Sequence, residues 1–227
     1  MQAVCLSFYS FSGRADRWWA FTQMGLAPAE LQQVMGLDFF RMMGTGAGMG
    51  FRPWPDTGTY ALLTVWKDND SAGHALKEAS IFQQLESRSS GIKSYWLRAH
   101  RGKGAWKGDQ PFVLDPEPID GKVAVITRAR IKWNWMPYFW LRVRKVSRQL
   151  KGLSELEFSK GIGEWPLIEQ ATFSLWTSES AIDAYAYRGK RHRKVVQATR
   201  KTGWYSEEMF MRFHVLAEQS GTPLPIS

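Results

Sequence analysis

Imidazole and thiol side chains are few: His74, His100, His192, His214 and the single Cys5. One cysteine can form neither an intramolecular disulfide nor a cysteine-based zinc or iron–sulfur site. His192 stands apart because it lies within a basic block, Arg188, Lys190, Arg191, Arg193, Lys194, Arg200 and Lys201, that contains no acidic residue. A second block without acids, Lys122, Arg128, Arg130, Lys132, Arg142, Arg144, Lys145 and Arg148, precedes it. Cations grouped in this way suit phosphate, carboxylate or an anionic membrane, and equally a solvated helix face. The 12 Trp, 7 Tyr and 13 Phe exceed what an ordinary core requires and suit a cavity for a planar or elongated apolar ligand.

Two glycine motifs, Gly44-Thr45-Gly46 and Gly161-Ile162-Gly163, superficially suggest a nucleotide loop. Neither belongs to GxxxxGK[ST] or to a full GxGxxG in a βαβ unit, so a phosphate-binding role is rejected. Their repetition at matching places in the two halves points instead to a turn or bulge between middle strands, where glycine permits dihedrals that other residues resist.

The elements that must position these residues read as one order given twice. In the first half a strand from Ala3 to Phe11 leads to a helix beginning near Arg17. Then come Leu37 to Phe40 with the glycine run, a strand from Thr59 to Trp66, a helix from Ser71 to Ser87 and a strand from Ser94 to His100. The second half offers a strand from Val123 to Ile131, a helix from Pro137 to Leu150, and Leu156 to Lys160 running into Gly161. A strand from Gln170 to Trp176, a helix from Ser180 to Thr202 and a strand from Met209 to Ala217 complete it. The expected fold is α+β, two tandem ferredoxin-like βαββαβ repeats packed as an α+β barrel, with repeats over residues 1–104 and 121–227 and a linker over 105–120. The linker is rich in turn formers, Gly108-Asp109, Asp115-Pro116-Glu117-Pro118 and Asp120-Gly121. Alternation of Ala171, Phe173 and Leu175 with Gln170, Thr172 and Ser174 marks a strand with two different faces.

A lone cysteine fits a reducing compartment and hence a cytoplasmic location. The first residues lack a basic flank followed by a sustained apolar run, and no stretch is long and apolar enough to span a bilayer. The helix from Met136 to Leu150 carries Phe139, Val143, Val146 and Leu150 on one face, with Trp133 and Trp135 before it, a pattern suited to peripheral contact at the inner face of a membrane or to packing on the sheet.

At Lys160-Gly161-Ile162-Gly163-Glu164-Trp165-Pro166, followed by Glu169 to Trp176, the sequence resembles the spheroidene monooxygenase family of carotenoid biosynthesis. Leu6 to Tyr9, Trp19 to Ala27, Gly44 to Phe51 and the run from His192 to Glu208 share the likeness, which covers nearly the whole chain in order. The resemblance implies haem b, O2, an external electron donor and oxygenation near the end of an acyclic, apolar carotenoid, with repeated hydroxylation of one carbon giving a ketone. By that resemblance His192 is the expected iron ligand, with His214 in reserve and Cys5 third. Arg191, Arg193 and Lys194 are expected partners of the haem propionates. Arg128, Thr172 or Ser174 would supply a hydrogen bond on the oxygen side, and Phe158, Phe173, Leu175, Trp140 and Trp204 would form walls.

Two rivals bracket this reading. A cofactor-free monooxygenase or dehydratase on the same scaffold needs no ligand histidine. A nucleic-acid binder is set aside, because the aromatic RNP1 string of the RNA-recognition fold is missing and the basic blocks fall mostly on helices.

Overall fold

A computed structural model of the protein describes residues 1–48, 54–136, 152–165, 169–188 and 205–221, with the backbone alone for 186–188. The elements are β1 (Ala3–Ser10), α1 (Arg14–Leu31), β2 (Leu37–Gly46), β3 (Pro55–Trp66), α2 (Asn69–Glu78), α3 (Ser80–Arg88) and β4 (Gly91–Gly104). They continue with β5 (Val123–Ile131), a 3-10 turn (Trp133–Trp135), β6 (Leu156–Gly163), β7 (Glu169–Trp176), α4 (Glu179–Arg188) and β8 (Tyr205–Gly221). The strands close into one barrel in the order β1-β3-β2-β6-β7-β5-β8-β4, every pair antiparallel. The protein is therefore α+β, as its sequence predicts. The helix expected from Pro137 to Leu150 and the continuation of α4 to Thr202 lie outside the described residues.

Within the first half the strand order is β4-β1-β3-β2 and within the second β8-β5-β7-β6. Left alone, each four-stranded sheet would expose two rows of unpaired backbone N–H and C=O groups. Two seams remove them. The long one runs between β4 and β8 from Ile92 opposite Gly221 to Gly104 opposite Met209. The short one joins β2 to β6 through Gly44 opposite Gly163 and Thr45 opposite Ile162. The two glycine motifs thus lie in strands and meet each other across the short seam, with a register shift between Gly44 and Thr45 that supplies the bulge. Gly163 is required by close approach, since a Cβ there would collide with the carbonyl oxygen of Glu169.

Alternation along each strand then decides what fills the barrel. Leu6, Phe8, Leu63, Tyr95, Leu97, Ile126, Phe173, Leu175 and Phe213 point inward and form one continuous apolar core. Ala171, Phe173 and Leu175 belong to it, so the apolar face of β7 meets the opposite sheet. The outward face of the first half carries Tyr9, Met42, Leu62 and Trp66, covered by Ala20, Ala27 and Leu31 of α1 and by Ile81, Phe82 and Leu85 of α3. The single helix expected from Ser71 to Ser87 is two helices, broken where Ala79 adopts an extended conformation (φ −76°, ψ 126°). The break sets Phe82 against Trp66 at 5.7 Å between ring centroids.

The linker is more than a run of turns. Trp106 and Phe112 are buried and join the barrel core. Trp106 and Asp109 exchange backbone hydrogen bonds at 2.8 and 3.1 Å, and between them Lys107 (φ 54°) and Gly108 (φ 84°) both adopt positive φ, the dihedrals of a tight reverse turn. The turn lays Trp106 across one end of the barrel, where its indole N–H donates to Glu164 Oε1 at 2.8 Å. Glu164 also pairs with Lys107 at 2.7 Å and with Arg41 at 3.7 Å. Beneath this lid the buried Arg128 donates to Glu207 Oε1 at 2.8 Å and lies 3.8 Å from Glu169. Its guanidinium sits 5.3 Å from the centre of a Trp106 ring. Lys107 Nζ reaches Glu169 Oε2 at 3.2 Å as an ion pair and not as an aligned hydrogen bond.

Two substitutions measure these two parts of the barrel by urea denaturation. Phe173→Ala removes a fully buried ring packed 4.9 Å from Tyr95 and is expected to cost about 3 to 5 kcal/mol. Arg128→Met takes the buried cation from Glu207 and leaves Glu169 only its pairs with Lys107 and Arg130, and is expected to cost about 3 kcal/mol. A loss below about 1 kcal/mol in Arg128→Met would mean that water already reaches this end.

Candidate functional site

The two outward sheet faces differ in how their polar atoms are satisfied. On the first half, the small polar residues beneath the helices serve one another: Ser7 Oγ and Ser94 Oγ lie 2.7 Å apart, Thr64 Oγ1 donates to the Cys5 carbonyl at 3.3 Å, and Trp66 Nε1 donates to Thr64 at 2.9 Å. On the second half, Ser159 Oγ, Thr172 Oγ1 and both ring nitrogens of His214 are buried without a hydrogen-bond partner. Unmade hydrogen bonds on buried groups are costly, roughly 1 to 3 kcal/mol each. Four such atoms lie on the outward face of the second sheet.

Strand pairing assembles this face. Thr127 stands opposite Thr172, Val125 opposite Ser174, and Ser159 opposite Ser174, all on the outward side of β5, β6 and β7. On β8, Phe210, Arg212 and His214 alternate with the inward Met209, Met211 and Phe213. A register shift past Ala99 in the β4·β8 seam carries His100 beside His214. The two imidazoles stack with centroids 4.1 Å apart and planes inclined by 23°. α4 closes over them: Arg212 is held by Glu179 Oε1 at 2.8 Å and by Asp183 Oδ1 at 2.7 Å, and His100 Nε2 lies 3.9 Å from Glu179.

Burial lowers the pKa of both rings. Glu179 partly opposes the shift in His100, whereas Arg212, Arg101 and Arg98 reinforce it. In His214 the neighbouring His100 and Arg98 reinforce it against Glu179 and Asp115. Both rings are consequently neutral near pH 7, and each keeps one nitrogen lone pair for a hydrogen bond or a metal. Cys5 is unlike them. Burial pushes its thiol up to about 11, and it is tucked under the helices of the first half beside Ser7 at 3.5 Å, so it offers little thiolate.

The structure sorts the residues singled out from sequence. Thr172 and Ser174 lie on the outward face of the second sheet, with Ser174 Oγ accepting from Trp176 Nε1 at 2.9 Å. Their neighbours Phe173 and Leu175 point into the barrel, so the hydroxyls and these two apolar side chains line opposite sides of one strand. Arg128 is inward as well, at the lidded end among Glu169, Glu207 and Trp106, and is not brought together with Thr172 or Ser174. His192, Arg191, Arg193, Lys194, Trp140 and Trp204 lie outside the described residues. Sequence reading missed Arg212 and the stacking of His100 on His214. The available signal was a histidine on the last strand of each half, because antiparallel edge strands bring such positions together. Among the described residues no group of three or more His, Cys, Asp or Glu is arranged to hold a metal ion, and no helix is long and apolar enough to cross a membrane.

No protein-family model matches the chain. Among solved structures it is similar to an aldoxime dehydratase in complex with butyraldoxime, with a TM-score of 0.66 at 11% identity, covering 99% of this chain and 84% of that one. A second aldoxime dehydratase gives a TM-score of 0.60 at 12% identity over 94% and 82% of the two chains. At such identity these likenesses concern the fold alone. The curated relatives reach further. The spheroidene monooxygenase of Rhodobacter capsulatus is 30% identical over 223 residues, 96% of this chain and 92% of the relative. That of Rubrivivax gelatinosus is 30% identical over 199 residues, 88% and 77% of the two chains. With that identity sustained along almost the full length, and with the likeness at the glycine motifs and the β7 segment already seen, the chain belongs to the spheroidene monooxygenase family of oxidoreductases.

Proposed function

We propose that this protein is a haem-dependent monooxygenase that hydroxylates, and by repetition ketolates, an acyclic carotenoid such as spheroidene, using O2 and an external electron donor. The observation that carries this reading is the contrast between the two outward faces. The first half fills the space between sheet and helices with a large apolar core, whereas on the second a smaller apolar cluster under α4 stands on the same sheet face as Ser159, Thr172 and His214, whose buried polar atoms have no protein hydrogen-bond partner. A planar group with polar edges and a metal centre fits such a face. Bound haem b would supply the activation of O2 at its iron.

The protein's own residues would bind and orient. We assign iron ligation to His192, which follows α4 in the chain, and the propionates to Arg191, Arg193 and Lys194. Trp140 and Trp204 would wall the pocket. Thr172 holds a hydroxyl with no protein partner and is the candidate hydrogen-bond donor on the oxygen side, with Ser174 beside it. Phe173 and Leu175 back the same strand from the barrel side and keep it rigid, and Arg128 acts at a distance by locking the barrel end. His100 and His214, neutral and stacked, would position the face that the group meets. An apolar substrate would arrive from a membrane surface, and Trp18, Phe21 and Leu26 expose large apolar side chains along α1. In this reading residues 1–104 and 121–227 are tandem ferredoxin-like repeats joined by 105–120, the second repeat carrying the haem.

Visible spectra of the protein purified with haem precursor supplied test the assignment. Wild type is expected to show a Soret band that is lost or shifted in His192→Ala and kept in His214→Ala. The reverse pattern would move the ligand to His214. A wild-type protein without a Soret band would overturn the haem reading in favour of cofactor-free chemistry on the same scaffold.

A further inference from the structure

The end of the barrel opposite the Trp106 lid is open. A cavity of ≈ 610 Å³ enters there, lined by Phe8 of β1, Ile92 and Lys93 of β4, Phe158 and Lys160 of β6, and Ser220 of β8. That volume is within the range of about 300 to 1,000 Å³ common for small-molecule sites. Its aromatic lining is Phe8 and Phe158, backed from the barrel interior by Tyr95 and Phe173, the four rings packing with centroid separations from 4.9 to 6.3 Å. Because these side chains point inward, the cavity opens on the opposite sheet face from the one beneath α4.

Two hydrogen-bond donors on this side lack acceptors. Lys93 and Tyr95 are two residues apart on β4 and therefore share its inward face. Lys93 Nζ lies 5.1 Å from the ring centre of Phe158 and 5.2 Å from that of Tyr95, held as a cation over π faces. The acids at this end are engaged elsewhere: Asp56 with Lys160 at 2.8 Å, and Glu157 and Glu218 with Lys122 at 2.6 and 2.9 Å. Tyr95, fully buried one inward step deeper, has a hydroxyl without any hydrogen-bond partner. Burial, then Glu218 and Glu157, raises its pKa, so it remains a donor. A cation at the mouth over the Phe8 and Phe158 rings, with an unpartnered hydroxyl beneath it, complements a ligand that presents an anionic oxygen on an apolar chain.

We infer that the open barrel end is a binding site for a long-chain carboxylate, with Lys93 and Tyr95 receiving the carboxylate and the Phe8–Phe158 floor receiving the chain. Lys160 is already neutralised by Asp56 and contributes its aliphatic stem. The inference does not depend on haem, since the two faces are separated by the sheet.

Calorimetric titration of the full chain with monomeric laurate, and separately with 1-dodecanol of the same chain length, tests it. Wild type is expected to bind one laurate per chain about tenfold more tightly than dodecanol. Lys93→Met should abolish that preference while leaving dodecanol binding unchanged, and Tyr95→Phe should weaken laurate binding in the same direction. Ser220→Trp, at an exposed position on the lip, should block both ligands without disturbing either donor or the core. Equal affinity of wild type for laurate and dodecanol, laurate affinity unchanged in Lys93→Met, or undiminished binding in Ser220→Trp would each overturn the assignment.

Discussion

Pairing of β4 with β8 is the constraint from which the rest of this structure follows. It joins the two four-stranded sheets along their longest edge, and once that edge is made the inward faces have only each other to pack against. Strand alternation then fixes every outward residue. His100 and His214, remote in sequence, become a stacked pair through the seam's register and its shift past Ala99. The short glycine seam between β2 and β6 completes the ring, and the linker seals one end with Trp106.

Much of this was legible in the chain. The antiparallel α+β architecture follows from the repeated order of apolar runs and helical stretches, and β5 has the predicted limits, Val123–Ile131. The alternation in β7 correctly divides Phe173 and Leu175 from Thr172 and Ser174. What escaped were features that depend on meetings between distant segments. The repetition of the glycine motifs points to a turn or bulge in each half but not to their pairing with each other across the short seam, where glycine lets two strand backbones approach. The linker reads as turns from its Gly, Pro and Asp residues, yet its one tryptophan packs into the barrel end, where it donates to Glu164 and lies beside the cation of Arg128. The break at Ala79 carries no glycine or proline and left no local mark.

The candidate site shows the same division. Residue types pointed to histidine and to the hydroxyls of β7, and the fold brings Thr172, Ser174 and His214 to one side of the second sheet. It also separates Arg128 from them, since one step along a strand reverses the direction of a side chain. Arg212, tied to both acids of α4, became visible only when helix and strand were seen together. Two sheets with one strand order thus differ on their outward faces: beneath α1 to α3 the polar side chains Ser7, Ser94 and Thr64 satisfy one another, whereas the second face carries an apolar cluster under α4 and the unpartnered Ser159, Thr172 and His214.

The long seam also governs how the chain acquires this shape. During synthesis β1 to β4 emerge first, and the first sheet can pair internally and gather its helices while the outer edge of β4 has nothing to bond. That edge waits until β8 has been made, across the whole intervening second half. Contacts so distant in sequence form slowly, and an unpaired strand edge meanwhile invites pairing with another nascent chain. The charged side chains along the waiting strand, Lys93, Arg98, Arg101 and Lys103, repel a second copy of the same edge. They act as gatekeepers until the proper partner arrives.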